Sequence, residues 1–190
     1  MMRKVFDPMT TRDIVLIALF AALMAVLGIF PPLTVPLIAV PITAQSLGPM
    51  LAGGILGAKR GALSMALFLV LVAVGLPLLS GGRGGLGVFA GPTAGFLFGW
   101  IVAAAVIGWL TERSWRSLGP VTAFLNCVIG GIVVLYAIGI PALAFIAGIP
   151  LWTALSGSAP FLPGDFVKAA VAALVIVALK RSYPLVEARG

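Results

Sequence analysis

The chain has no histidine and a single cysteine among its 190 residues. Metal sites built on imidazole or on clustered thiolates are thereby excluded, and so is an internal disulfide. Charge is also scarce: 9% of residues are charged and 62% apolar, whereas a soluble domain carries about 25% charged residues to solvate its surface. With five acidic residues and no histidine, acid–base or nucleophilic catalysis has little to work with. No phosphate loop ending in GK[ST] is present, so the chain does not hydrolyse ATP by that route. Cys127 stands in the apolar run FLNCVIGG and reads as a small buried packing residue.

What is present is a succession of long apolar runs, which makes this an all-α integral membrane protein. At roughly 20 residues per span, six spans use about 120 residues and leave short connections, so residues 1–190 form one membrane-embedded domain. The net charge of +7 does not point to nucleic acid, because that requires basic residues gathered on one face, and here they gather at helix ends. The start, MMRKVFDPMTTRD, looks like the charged region of a signal peptide. No small-residue cleavage motif follows before Pro31 and Pro32, and the rest of the chain is equally apolar, so the first run is read as a retained span.

The first helix is predicted over Thr11–Gly28, with Thr10 or Thr11 as N-cap and Pro31–Pro32 ending it. An extended stretch, LTVPLIAVPIT, follows. Further helices are expected over Ala44–Gly57, Ala62–Leu79, Pro92–Leu110, Val121–Ile140 and Pro163–Leu179. The turn between the second and third is placed at Lys59 and Arg60. A glycine-rich loop, SGGRGGLGVFAGPTAG, precedes the fourth helix, and a proline-interrupted connection, Pro141–Pro160, precedes the sixth.

On this frame, Arg3, Lys4, Arg12, Lys59, Arg60, Arg113, Arg116, Lys180, Arg181 and Arg189 share one side, ten of the twelve basic residues. Lysine and arginine counts in short loops set orientation, so both termini are expected in the cytoplasm. Only Arg83, Asp165 and Lys168 lie away from that side. An ionised group near the bilayer centre costs about 2.5–3.5 kcal/mol on insertion scales, and such groups usually face a cavity or a partner. Asp165 and Lys168, three residues apart on one helix face, and Arg83 in the outer loop are therefore the first site candidates. Two alternatives stand beside this: Asp165 as a helix-start carboxylate with Lys168 as its salt-bridge partner, and Arg83 as a solvated or headgroup-contacting cation. Gln45 either contacts a ligand or satisfies backbone, and Asn126 either contacts a ligand or bonds a neighbouring helix. Phe89, Phe96, Trp152 and Phe161 fit an outer aromatic belt, with pocket lining as the lesser reading.

The segments VPITAQ, GGRGGLGVFAGPTAGFLFGW and LPGDFVK, in this order between six apolar spans, resemble the BioY family of biotin transporters. The resemblance covers nearly the whole chain, and GPTAGF with PGDFVK is a specific combination. It implies the substrate-binding component of an energy-coupling-factor transporter in a bacterial cytoplasmic membrane. Also implied are a six-helix fold and an outward-opening biotin pocket roofed by the loops after helices one, three and five. Gly84, Phe89 and Thr93 of the loop motif join the site by the same resemblance. The expected partners are biotin, membrane lipid, a transmembrane coupling subunit and two cytoplasmic ATPase subunits; no cofactor and no nucleic acid are expected. Ala18, Ala21, Ala22 and Ala25 form two overlapping small-xxx-small patterns suited to close helix approach, the face that meets the coupling subunit in such proteins.

The chemistry of biotin matches the three unusual charges. Asp165 would accept the ureido N–H groups, Lys168 would meet the ureido carbonyl, and the Arg83 guanidinium would recognise the valerate carboxylate. A membrane-embedded enzyme lacks its reactive groups here. An ion or multidrug transporter is the alternative, but it would usually keep an acidic residue near the midplane, which helices one to five do not offer.

Overall fold

The structure, a computed structural model, describes residues 9–31, 33–35 and 40–182. Arg3, Lys4 and Arg189 of the basic set, and Pro32, lie outside the described residues. Helix α1, Thr11–Gly28, begins with a capping box. The Thr10 hydroxyl accepts the Asp13 N–H at 3.2 Å, and the Asp13 carboxylate accepts the Thr10 N–H at 2.9 Å. The extended stretch after it forms a hairpin in which β1, Leu33–Val35, pairs antiparallel with β2, Val40–Ile42.

A 3₁₀ turn, Ala44–Ser46, leads into α2, Leu47–Leu56, and α3 follows at Ala58–Ala73. The turn between them falls at Gly57, not at Lys59 and Arg60, which sit in the first turn of α3. Gly57 has φ +83°, a left-handed conformation that favours glycine. The Glu112 carboxylate accepts the Ala58 N–H at 2.8 Å, so the start of α3 is capped from a distant helix. α3 stops at Ala73 rather than Leu79, because Gly75 adopts φ +114° and Pro77 follows.

Helix α4 spans Ala94–Arg113. Next, α5, Pro120–Val128, runs through a widened π-turn, Ile129–Val134, into α6, Leu135–Ala147, a continuous rod of 28 residues. The expected break at Pro141 is absent; membrane helices tolerate proline where surrounding groups meet the freed backbone. The rod ends at Gly148, φ +65°, a left-handed C-cap. Two more helices follow, α7, Leu151–Ser158, inside the expected connection, and α8, Phe161–Ser182.

Among the described residues, α1, α4, the α5–α6 rod and α8 are long and apolar enough to cross a membrane. The expectation of six spans is thus met at full length by four. α2, with ten residues, rises only about 15 Å, half of the ~30 Å hydrocarbon layer. Its residues Gly48–Leu56 are all buried, enclosed by α3, α4 and α8. A segment wrapped in protein need not match the lipid thickness.

The core, with Met24, Met50, Met65 and Phe68 fully buried, lies between these helices, while Leu19, Val133, Phe145 and Leu174 are more than half exposed. Large apolar side chains exposed in this number are suited to lipid and a liability in water. Three contacts gather the basic clusters at one end of the molecule. Arg60 Nε lies 3.0 Å from the Asp13 carboxylate, Glu112 caps α3 beside Lys59, and Lys180 Nζ donates to the Trp115 and Leu118 carbonyls at 2.7 and 3.1 Å.

Candidate functional site

At the opposite end, the first turns of α8 carry Asp165 and Lys168 inward. Lys168 Nζ donates to Asp165 Oδ1 at 2.9 Å, to Ser46 Oγ at 2.8 Å and to the Thr43 carbonyl at 2.7 Å. An ammonium has three donors, and all are engaged. Ser46 Oγ donates to Asp165 Oδ1 at 3.1 Å, and the Tyr136 hydroxyl donates to Oδ2 at 2.7 Å. Among the described residues Oδ1 therefore receives two donors and Oδ2 one, which leaves the carboxylate's remaining acceptor capacity mainly on Oδ2. The salt bridge of the helix-end alternative is present. It is not an exposed pair, however, since Asp165 is 4% exposed and the cluster ties α8 to α6 and to the 3₁₀ turn before α2.

These groups border a cavity of about 70 Å³, open to the centres of water molecules, whose apolar wall includes Phe96, Trp100, Leu135 and Phe161. Small-molecule sites run to about 300–1,000 Å³, so this space alone is small. Arg83 and Thr93 line it and also line an adjoining cleft formed by the glycine-rich loop, so the two spaces share a boundary. Arg83 Nε donates to the Ser80 carbonyl at 3.2 Å. Partial burial lowers its pKa by desolvation, yet a guanidinium stays charged. The three ionised side chains at the cavity sum to +1.

Of the predicted site residues, Asp165, Lys168, Arg83, Gln45 and Thr93 meet at the cavity. Gln45 is committed to backbone: its Nε2 donates to the Met24 and Leu78 carbonyls, both at 3.0 Å, and its Oε1 accepts the Ser80 N–H at 3.0 Å. Gly84 lines only the outer cleft. Phe89 packs on Phe98, ring centroids 5.6 Å apart, away from the cavity. Asn126 follows the second of its two readings, a bond to a neighbouring helix. Its Nδ2 donates to Ser114 Oγ at 3.1 Å and to Thr111 Oγ1 at 3.5 Å, at the basic end, so it joins α5 to the end of α4. Phe96 and Phe161, read as belt residues, line the cavity, whereas Trp152 is exposed.

The alanine patterns of α1 divide. Ala18 and Ala22 are exposed, but Ala21 is buried and Ala25 partly so, because positions three and four apart straddle the edge of the buried face. Only the Ala18–Ala22 pair is open to a partner. Sequence reasoning missed Ser46 and Tyr136. One of two tyrosines in the chain, Tyr136 interrupts a long apolar run, and a buried tyrosine hydroxyl usually finds a partner; that signal was available.

The family model of the BioY family matches residues 1–185. The chain is 55% identical over 187 residues to the biotin transporter BioY of Rhizobium etli, covering 96% of this chain and all of that protein. It is 46% identical to the probable biotin transporter BioY of Bacillus subtilis, over 91% of this chain and 92% of that one. Among solved structures, the S-component for biotin from an ECF-type ABC transporter superposes with a TM-score of 0.86 at 31% identity, covering 92% of this chain and 95% of the other.

Proposed function

The chain belongs to the BioY family, a family of transporters and not of enzymes, and from that premise we propose that it binds biotin and carries it inward as the substrate-binding component of an energy-coupling-factor transporter. The observation that carries the site assignment is the buried Asp165–Lys168 pair facing a cavity that Arg83 also lines. The ureido ring takes the inner position, with one N–H on Asp165 Oδ2. Its carbonyl reaches Lys168 by taking over one of the three bonds that the ammonium makes to Thr43, Ser46 and Asp165. The valerate chain runs past Arg83 toward the outer cleft, and this agrees with the small inner volume.

The six-span topology is our reading: α1, α2, α3, α4, the α5–α6 rod and α8 each traverse the membrane once, with α7 as an outer connector. Gathering of the basic clusters at one end supports cytoplasmic placement of both termini in a bacterial cytoplasmic membrane. The loops after α1, after α3 and after the rod then roof an outward-facing pocket. A transmembrane coupling subunit packs on the exposed Ala18–Ala22 pair, and two ATPase subunits supply the energy that this chain lacks the motif to release. Equilibrium binding of tritiated biotin to the purified protein tests the reading. Saturable binding displaced by unlabelled biotin is expected, and its absence in folded protein would overturn it.

A further inference from the structure

We propose that Tyr136 is a positioning residue for Asp165, turned into the cavity by the widened turn Ile129–Val134, and that it sets selectivity for an unsubstituted ureido N–H. The inference rests on the biotin-binding reading above.

The register of the rod carries the first half. Among the buried positions of the rod, Ala123, Cys127, Gly131, Leu135, Gly139 and Leu143 stand four residues apart, and the other buried residues, Asn126, Gly130, Ile132 and Ile140, each adjoin that stripe. In an unbroken α-helix each residue advances about 100°, so every four-residue step overshoots a full turn by about 40°, and five steps accumulate roughly 200°. A stripe spaced this way would wind to the far side of the helix. A π-turn absorbs one extra residue without advancing the rotation, which takes back about 100° halfway along. Without it, Tyr136 would face roughly that far from Asp165. The wide turn sits where the rod meets α2, for a Cβ on Gly131 would lie 2.5 Å from Met50 Cε.

The second half comes from the carboxylate. Oδ1 is held by Lys168 and Ser46, whereas among the described residues Oδ2 is held only by Tyr136. The tyrosine ring is itself fixed edge-on to Phe96, centroids 6.3 Å apart at 87°, so its hydroxyl is a stationary donor. Removing it frees the carboxylate to rotate both oxygens toward Lys168 and withdraw Oδ2 from the position where a ligand N–H would meet it. Shape and apolar contact would survive.

Tyr136→Phe keeps the ring and its Phe96 contact. The affinities to compare are those of biotin and of biotin methylated on a ureido nitrogen, using the isomer that wild type binds less well. Wild type should prefer biotin by about tenfold or more, the size of a hydrogen bond to a charged group. In Tyr136→Phe, biotin binding should weaken about five- to thirtyfold while the methylated ligand changes less than twofold, so the preference collapses. In an Asp165→Asn background the same change should cost little more. Equal weakening of both ligands, an undiminished effect beside Asp165→Asn, or a Tyr136→Phe chain that fails to fold would each show a structural role and overturn the inference. Wild type that binds no biotin would overturn the functional reading along with it, whereas wild-type binding with an unaltered Tyr136→Phe would overturn this inference alone.

Discussion

Asp165→Asn isolates the acceptor on which the site assignment depends. The asparagine oxygen can stay toward Lys168 and Ser46, where Asp165 Oδ1 receives donors at 2.9 and 3.1 Å. Its amide nitrogen then replaces Oδ2. Tyr136 adapts, because a hydroxyl rotates from donor to acceptor, but a ligand N–H arriving there meets another donor. Loss of a charge-assisted hydrogen bond is worth about 1.5–3 kcal/mol, or roughly tenfold to more than a hundredfold in affinity. The charge change also leaves Lys168 without its counterion. Breaking a buried pair costs about 3–5 kcal/mol, here toward the lower end, since Lys168 keeps Thr43 and Ser46 and its side chain is 18% exposed. Both stability and affinity should therefore fall, and measuring tritiated biotin binding and melting temperature in one detergent separates them. Lys168→Met serves as the matched control: it removes the other charge and leaves Asp165 with Ser46 and Tyr136. Folded Asp165→Asn protein that binds biotin within twofold of wild type would refute the assignment, whatever its melting temperature.

Other outcomes follow from other parts of the molecule. In a Cys127→Ala background, Lys59→Cys, on an exposed position, and Gly87→Cys, where a Cβ meets nothing within 4 Å, should label from opposite sides of the membrane; labelling of both from outside would overturn the orientation. Ala22→Trp should hold a partner helix off α1, so copurification with a coupling subunit and ATP-driven uptake fall while biotin binding persists; lost binding with intact assembly would place that face in the fold instead. Gln45→Leu strips the buried Met24 carbonyl of its donor and the buried Ser80 N–H of its acceptor, at about 1–3 kcal/mol each, and should lower the melting temperature clearly while weakening biotin binding less than Asp165→Asn does; the opposite order would make Gln45 a ligand contact.

How much of this was legible in the sequence depended on how far each cause lies along the chain. The start of α1 was readable because Thr10 and Asp13 are three residues apart and cap one another. Asp165, Lys168 and Arg83 stood out because an apolar solvent makes every ionised group costly, so their rarity was itself the signal. The turn at Gly57 was misplaced because its cap is Glu112, supplied from the end of α4, and local preference could not reveal that. Pro141 was read as a break because the surroundings that carry the rod past it are tertiary. Asn126 kept two readings because polarity alone does not separate a ligand contact from a bond to a neighbouring helix, and Ser114 and Thr111 satisfy the amide from the end of α4. Ser46 and Tyr136 show the remaining gap most clearly. Neither carries a charge, so the membrane imposes no visible cost on their presence, and their role exists only through Asp165, 119 and 29 residues away in the chain. A lipid environment exposes the ions of a site to sequence reasoning and hides the neutral hydroxyls that orient them.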